Sequence, residues 1–410
     1  MTSHDPQTAP WWTARPALTR FVADLVAAEL GALRHAPFMR ANNWTDALSL
    51  EHDLALDSLE FMQVAGALSL ALQMHHSGIE DYLLARRTLG DWVDIAQAAL
   101  AQHDSTLVFS SSGSTGQPKS CSHRLDRLEQ EAQSLAALFP GRRRLLAAVP
   151  SHHIYGFLCT QLLPRHLGID PGQVVVIRAR LPSTLAHLAR SGDLVIGHPQ
   201  FWQAALAPGH AFPPDVVGVS STAPCPDEVA EAAARCGIAT LFQLYGASET
   251  AGLGWRSSHR EDYRLHAYLE RDPDGEGGVR RRLPDGGSEA LQVQDRLAWT
   301  GERTFAVGAR RDGAVQVGGV NVYPERVREV LLRHPDVLDA SVRLMRPGQG
   351  TRLKAFIVRR DGAPANADAT ARLRAWIDEQ LSPPERPKAL TFGDTLPRSA
   401  MGKPADWDIE

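Results

Sequence analysis

The chain has 410 residues, a length that exceeds one hydrophobic core and favours two or three domains. Its 43% hydrophobic and 22% charged residues are typical of a globular protein, and the net charge of −4 argues against a general nucleic-acid-binding protein. The sequence has no apolar run of membrane-spanning length, no secretory signal pattern and no metal-like spacing of its four cysteines, so we expect a cytoplasmic protein that binds no membrane.

The first hundred residues have apolar side chains at helical spacing. Three stretches show it, at residues 17–35, 59–74 and 89–100, and no β-rich run precedes Leu107. Within residues 1–100, twelve Asp and Glu stand against six Lys and Arg. The pattern therefore predicts an acidic, all-helical unit over residues 1–102.

The pattern changes after this segment. Over residues 106–311, short apolar runs alternate with helical stretches, which is typical of an α/β domain with a largely parallel sheet. Residues 312–410 mix strands and helices in the manner of a small α+β domain. We therefore predict three domains.

A glycine- and serine-rich loop follows the first apolar strand. Residues 109–120 read FSSSGSTGQPKS, which differs from a Walker A loop because Pro118 stands where that loop needs its second glycine. Proline fixes the backbone and has no N–H to donate, so the Walker interpretation fails. Residues 112–116 still offer backbone and hydroxyl donors for phosphate, and Lys119 offers charge. A flexible linker is the alternative.

The stretch SSGSTGQPK resembles the signature of the adenylate-forming superfamily, which includes acyl- and aryl-CoA synthetases, peptide-synthetase adenylation domains and luciferases. The resemblance continues in chain order over most of residues 106–410, through PSHHIYG (150–156), VSSTAP (219–224), LYGASET (244–250) and LPRSAMGKP (396–404). It implies an α/β adenylate-forming enzyme with a mobile α+β C-terminal domain. It also implies a truncated large domain, because the family normally has more chain before the phosphate loop.

The resemblance assigns the nucleotide site and implies ATP and Mg²⁺ as cofactors. Tyr245 would stack on adenine, Ser248 would hold the α-phosphate, and Glu249 would ligate Mg²⁺, which prefers oxygen ligands. Asp295 and Arg310 would bind the ribose. The full set of implied nucleotide-binding residues is Ser112, Gly113, Ser114, Thr115, Gly116, Lys119, Thr222, Tyr245, Gly246, Ser248, Asp295 and Arg310.

The same resemblance assigns the acid site and the mobile parts. His153 would gate the acid pocket, Lys403 would stabilise charge while the carboxylate attacks the α-phosphate, and Asp312 would be the hinge of the C-terminal domain. Ser221 and Thr222 replace glycines that the family keeps. The residues expected to line the acid pocket are His153, Tyr155, His198, Trp202, Ser221 and Ala247.

A second resemblance concerns the N-terminal segment. Residues 52–62, HDLALDSLEFM, are similar to an acyl carrier protein around the serine that carries phosphopantetheine, which would here be Ser58. The alternative is that Asp57 only caps a helix, since Asp before an apolar run is a common N-cap. The first interpretation predicts a carrier-like unit, and the second a helix start.

Three hypotheses follow for the function. The leading one is ATP-dependent activation of an acyl or aromatic acid, such as a hydroxybenzoate of secondary metabolism, followed by transfer to the phosphopantetheine thiol of a carrier protein. The alternative is a free acyl- or aryl-CoA synthetase, with CoA as the partner. The third is a non-catalytic module that only docks a carrier.

Overall fold

The computed structural model describes residues 9–34, 36, 38, 44–111, 119–273, 278–283, 285–346, 348–362, 366–398 and 405–409. The chain divides into two compact units. The described residues of 1–111, 120–293 and 297–307 form the first unit, and those of 112–119, 294–296 and 308–410 form the second.

The predicted N-terminal helices are present. The described part of this segment contains the helices α1 (Arg15–Leu33), α2 (Ser58–Ala71), α3 (Tyr82–Ala85) and α4 (Leu89–Leu100). A bridge pairs Ser49 with Thr88. Three of these helices agree with the predicted stretches to within three residues at each end, because their apolar positions follow the 3.6-residue period and pack into a core.

That core is shared with the α/β part of the chain. Trp11 and Phe21 pack against Phe157, with ring centroids 4.9 and 5.9 Å away. Arg20 of α1 is buried and donates to the backbone carbonyl of Thr160 at 3.0 Å. The helical segment therefore belongs to the first compact unit, and the predicted carrier-like unit is not confirmed.

The start of α2 supports the capping alternative. The Asp57 carboxylate accepts the backbone N–H groups of Leu59 and Glu60 at 2.8 Å each. Glu60 accepts the N–H of Asp57 in return, at 3.2 Å, which completes a capping box. The contacts that Asp57 makes therefore explain its place before Ser58 without a carrier function.

The predicted parallel sheet follows. Its parallel strands have the spatial order β4-β3-β5-β6-β7. The elements from the phosphate loop to the end of this sheet are β1 (Thr106–Ser111), β2 (Lys119–Arg124), α5 (Leu125–Ala136), β3 (Arg144–Ala147), α6 (Ile154–Phe157), α7 (Leu163–His166), β4 (Val174–Val176), α8 (Leu185–Leu188), β5 (Asp193–Gly197), α9 (Pro199–Leu206), β6 (Val217–Ser220), α10 (Asp227–Arg235) and β7 (Thr240–Ala247).

An antiparallel extension was not predicted. It adds four strands to β7, so that the nine-stranded sheet has the order β13-β14-β9-β8-β7-β6-β5-β3-β4. A separate three-stranded sheet has the order β10-β11-β12. The strands of this part are β8 (Ala251–Arg256), β9 (Tyr263–Leu265), β10 (Leu269–Arg271), β11 (Val279–Arg282), β12 (Ser288–Leu291), β13 (Asp295–Trp299) and β14 (Thr304–Arg310).

The second unit has the α+β character predicted from the sequence. Its hydrophobic core lies between two helices and a three-stranded sheet of order β17-β18-β19. The elements after β14 are β15 (Val315–Val317), β16 (Val320–Val322), α11 (Pro324–Leu332), β17 (Val337–Leu344), β18 (Leu353–Arg359), α12 (Ala367–Gln380) and β19 (Ala389–Phe392).

Candidate active site

The carboxyl ends of the parallel strands bring together several residues predicted for the site. His153 follows β3, His198 follows β5, Ser221 follows β6, and Ser248 follows β7. Parallel strands end at one edge of the sheet, which is where open α/β sheets bind ligands. The topology therefore gathers residues that are far apart in sequence along a single edge.

The two histidines at this edge are in their neutral form at pH 7. Desolvation, with help from the Arg178 charge, lowers the pKa of His153 to about 4 and also lowers the pKa of His198. His153 is nevertheless exposed to solvent and His198 is half-buried. Neutral rings suit the uncharged body of an organic acid.

Tyr155 and Trp202 differ in their burial. Tyr155 is half-buried, and its hydroxyl donates to the carbonyl of Gly197 at 2.9 Å. Trp202 has no exposed surface and donates its indole N–H to Val219 at 3.0 Å, inside the hydrophobic core beside the sheet. Trp202 therefore belongs to the hydrophobic core, and its place in the acid pocket stays a prediction.

A contact with α1 fixes the turn that carries His153. The buried Asp24 carboxylate accepts both the backbone N–H and the hydroxyl of Ser151 at 2.8 Å each. It also accepts from the Arg178 guanidinium at 3.2 Å. Asp24 and Arg178 were missed in the sequence, since a buried ion pair between residues 154 positions apart leaves no local pattern.

Thr222 has the backbone conformation of a glycine. Its φ is +78°, in the left-handed region that β-branched residues rarely adopt. This agrees with the glycines that the superfamily keeps at this point of the chain. Because a non-glycine residue in this region costs about 1–2 kcal/mol, the segment after β6 holds local backbone strain.

The turn between β7 and β8 carries Ser248 and Glu249, and two side chains hold it from outside. His123 of β2 donates its Nε2–H to the Ser248 carbonyl at 2.6 Å, which fixes the tautomer of that ring. Glu131 of α5 accepts the N–H of Gly252 with both carboxylate oxygens, at 3.0 and 2.9 Å. Neither residue was predicted, because each acts on the backbone of a distant segment.

The Glu131 contact requires glycine at position 252. A Cβ there would lie 2.1 Å from Glu131 Oε1, so a larger residue would have to displace the carboxylate from this contact. Burial raises the pKa of Glu131, while the charge of Arg281 opposes that shift. Arg281 also stacks 4.8 Å from the ring centroid of Tyr268, whose hydroxyl donates to the Gly252 carbonyl at 3.1 Å.

His266 beside this network gives the protein a pH-dependent stability. Desolvation, helped by Arg281, lowers its pKa from 6.5 to about 3. Below pH 6.5 the unfolded chain therefore binds a proton that the folded ring does not. We expect the free energy of unfolding to fall as the pH drops from 6.5 towards 3, by up to about 1.4 kcal/mol per pH unit for this group.

Denaturant unfolding at several pH values measures this slope. His266→Phe keeps an aromatic ring against Tyr268 but cannot titrate, so its slope should be shallower than that of the wild type. Ser134→Ala removes only the hydroxyl that lies 3.3 Å from Nδ1 of His266 and should keep the slope. Equal slopes in the wild type and His266→Phe would contradict this assignment.

In the second unit, two predicted residues form an ion pair. Arg310 binds Asp312 through two hydrogen bonds, of 2.9 and 2.6 Å. Asp312 also accepts from the Tyr323 hydroxyl at 3.1 Å, and its bond to Arg310 lowers its pKa to about 2. Asp295 is buried, and its charge helps to raise the pKa of Arg310. The ribose and hinge roles of these residues stay predictions.

Some predicted residues lie outside the described part of the chain. These are Lys403 and the loop residues Ser112, Gly113, Ser114, Thr115 and Gly116. Lys119 is described and begins β2, directly after the loop. The half-buried Ala247 and the exposed Gly246 end β7.

Glu249 offers one carboxylate for a metal. It is half-buried, in the turn fixed by His123 and Glu131. The described residues contain no group of three or more metal-binding side chains. Mg²⁺ in nucleotide sites is commonly held by one or two carboxylates together with phosphate oxygens and water, so a single carboxylate fits such a site.

The fold and this edge of the sheet define an α/β enzyme of the adenylate-forming type. The model of the AMP-binding enzymes matches residues 45–272, and that of the AMP-binding enzyme C-terminal domain matches residues 327–403. The first match covers more than half of the chain and begins inside the N-terminal helical segment. The chain therefore belongs to the AMP-binding enzymes, as an AMP-forming ligase of the acid–thiol type.

Three relatives of known name match this chain over most of their own length. A 4-coumarate–CoA ligase of Cereibacter sphaeroides is 37% identical over 96% of both chains. One of Rhodobacter capsulatus is 37% identical over 95% of this chain and 99% of its own, and one of Halorhodospira halophila is 38% identical over 85% and 87%.

Solved structures agree on the fold. The o-succinylbenzoate CoA synthetase of Bacillus subtilis matches 73% of this chain and 67% of its own with a TM-score of 0.57 at 22% identity. The amide bond synthetase McbA of Marinactinospora thermotolerans matches 72% and 67% with a TM-score of 0.56 at 23% identity. No helix in the described ranges is long and apolar enough to cross a membrane.

Proposed function

We propose that this protein is an aryl-CoA ligase that joins a hydroxycinnamic acid such as 4-coumarate to CoA, with conversion of ATP to AMP and pyrophosphate. The observation that carries the proposal is the near full-length similarity to the 4-coumarate–CoA ligases of Cereibacter sphaeroides and Rhodobacter capsulatus. CoA, the alternative acceptor in the sequence analysis, replaces the carrier protein as our leading acceptor. The hydroxybenzoate of that analysis gives way to a hydroxycinnamate.

The first step forms the mixed anhydride. The acid carboxylate attacks the α-phosphorus of ATP, a P–O bond forms to the acid, and the bond to pyrophosphate breaks. Residues 112–116 and Lys119 would donate to the phosphates, Ser248 would hold the α-phosphate, and Lys403 would stabilise the charge that develops. Mg²⁺ bound by Glu249 would neutralise the negative charge of the phosphates.

The second step forms the thioester. The CoA thiol gives its proton to solvent and attacks the acyl carbon, the bond to AMP breaks, and AMP leaves with the electron pair. The neutral His153 and His198 rings support this proposal, because they give an aryl group a wall that carries no charge. Neutral rings also need no second negative charge on the acid, so an acid whose only charge is its carboxylate suits them.

The remaining roles follow the superfamily resemblance. Tyr245 would stack on adenine, and Asp295 with Arg310 would bind the ribose. Ser221 and Ala247, at the ends of β6 and β7, would border the acid, as would Tyr155, whose hydroxyl binds the Gly197 carbonyl at the end of β5. Location in the cytoplasm stays a prediction.

The acceptor is tested by competition. The wild-type enzyme and its Ser58→Ala variant are each treated with a phosphopantetheinyl transferase and CoA. The treated and untreated proteins are then supplied with ATP, 4-coumarate and free CoA. We expect both proteins to consume CoA at the same rate and to keep their mass after transferase treatment, since Asp57 is explained as a cap. A pantetheinylated Ser58 peptide that takes the acyl group while free CoA is left unused would overturn the choice of CoA.

A further inference from the structure

The end of the chain is held by a cluster of bonds in the second unit. Lys354 of β18 has no exposed side-chain surface, and its ammonium donates to the Trp407 carbonyl at 2.6 Å and to Asp406 at 2.9 Å. Arg346 donates to the same carbonyl at 2.8 Å and binds Asp406 at 2.6 Å and Asp408 at 2.9 Å. We call this cluster of Arg346, Lys354, Asp406, Trp407 and Asp408 the tail clamp.

The Trp407 ring completes the tail clamp. It is buried against Phe356, with ring centroids 5.7 Å apart in an edge-to-face arrangement. The Lys354 ammonium lies 5.0 Å from its centroid, within the range of a cation–π contact. A lysine is rarely buried unless it is paired, and here the tail residues together with the Gln349 side-chain oxygen at 3.1 Å satisfy the Lys354 ammonium.

The tail clamp follows closely on Lys403 in the sequence. The backbone N–H of Ala405, two residues after Lys403, donates to the carbonyl of Pro397 at 2.9 Å. Asp406 follows at once and is fixed by Lys354 and Arg346. The described residues therefore hold the chain from three residues after Lys403 onwards.

We propose that Arg346 and Lys354 are positioning residues for acyl-AMP formation, which hold the chain on the C-terminal side of Lys403. The inference rests on the charge-stabilising role proposed for Lys403. Catalysis by a positioned charge depends on geometry, and a displacement of about 1 Å can lower a rate by about a hundredfold. A loose tail would therefore weaken the first half-reaction, in which Lys403 acts, and spare the second.

Two variants test the tail clamp. Arg346→Gln removes bonds from a partly exposed side chain and leaves no lone buried charge. The double variant Lys354→Met with Asp406→Asn removes the buried ammonium together with its carboxylate partner, so that neither charge is left without the other. Lys388→Gln changes an exposed lysine of the same unit and is the matched control.

The readout separates the half-reactions. ATP–pyrophosphate exchange reports acyl-AMP formation, and thioester formation from supplied acyl-AMP and CoA reports the second step. We expect both clamp variants to lose about tenfold to a hundredfold in the first and less than about twofold in the second, with Lys388→Gln unchanged in both. Parallel loss in both half-reactions, or no loss in either, would overturn the inference.

The proposed role of Lys403 is judged separately. If Lys403→Ala abolishes exchange and the clamp variants do not alter it, the tail clamp alone is excluded as a positioning device. If Lys403→Ala leaves exchange intact, the role of Lys403 fails, and the inference falls with it. Thermal unfolding of each variant shows that it is folded at the assay temperature.

Discussion

Lys403→Ala is expected to lower the rate of acyl-AMP formation by about a hundredfold to a thousandfold, while thioester formation from supplied acyl-AMP continues. The reason is that negative charge grows on the α-phosphate oxygens only while the carboxylate attacks. A positioned ammonium stabilises that charge more than the ground state, and removal of one such donor has effects of this size. The two half-reactions are measured as for the tail clamp.

The lysine content of the chain makes this variant easy to control. The sequence has only four lysines, at positions 119, 354, 388 and 403. Lys388→Ala removes an exposed ammonium and should leave both half-reactions unchanged. Equal loss of both half-reactions in Lys403→Ala would contradict a role confined to adenylation.

Gly156→Ala is expected to have the second large effect, on both stability and acid binding. A Cβ at position 156 would lie 1.8 Å from the Pro150 carbonyl oxygen and 2.8 Å from its carbon. Backbone atoms cannot rotate away as a side chain can, so α6 must separate from the turn that holds Ser151 and His153. We expect a loss of about 3 kcal/mol in the free energy of unfolding and a marked rise in KM for the acid.

Gly66→Ala is the matched control for this substitution. Gly66 is exposed in the interior of α2, and a Cβ there would meet nothing within 4 Å. Alanine is the better helix former, so this variant should gain up to about 1 kcal/mol and keep its activity. Denaturant unfolding and acid titrations of both variants decide the matter. A Gly156→Ala protein with wild-type stability and KM would contradict the packing argument.

The parts predicted well from the sequence are those with a strong local pattern. Helix α4 was predicted at residues 89–100 and found as Leu89–Leu100, because its apolar positions repeat with the helical period. The runs that became β3, β5 and β7 are apolar and short, as expected of buried parallel strands. The helical period of α4 and the apolar runs of these strands are visible in the sequence without knowledge of the rest of the fold.

The antiparallel part could not be predicted in this way. Strand β11, Val279–Arg282, contains three consecutive arginines, a composition that does not indicate a strand. It forms because β10 and β12 pair with it on either side. Strand β9 has only three residues, too few to show a period. Both strands depend on partners whose positions only the folded chain defines.

The residues of the candidate site fall into the same two groups, those within a local motif and those without one. His153 and Glu249 were found because they lie in motifs with a fixed local spacing. Asp24, His123 and Glu131 were missed because each supports a turn more than 100 residues away. Each of these contacts joins two segments that are far apart in the chain, so the spacing of the two partners forms no local motif.

The most direct test of the account is product analysis by mass spectrometry after incubation of the protein with 4-coumarate, ATP, Mg²⁺ and CoA. We expect 4-coumaroyl-CoA, AMP and pyrophosphate in equal amounts, and no thioester when CoA is omitted. Formation of ADP in place of AMP, or the absence of a CoA thioester with 4-coumarate and with other aryl acids, would contradict it.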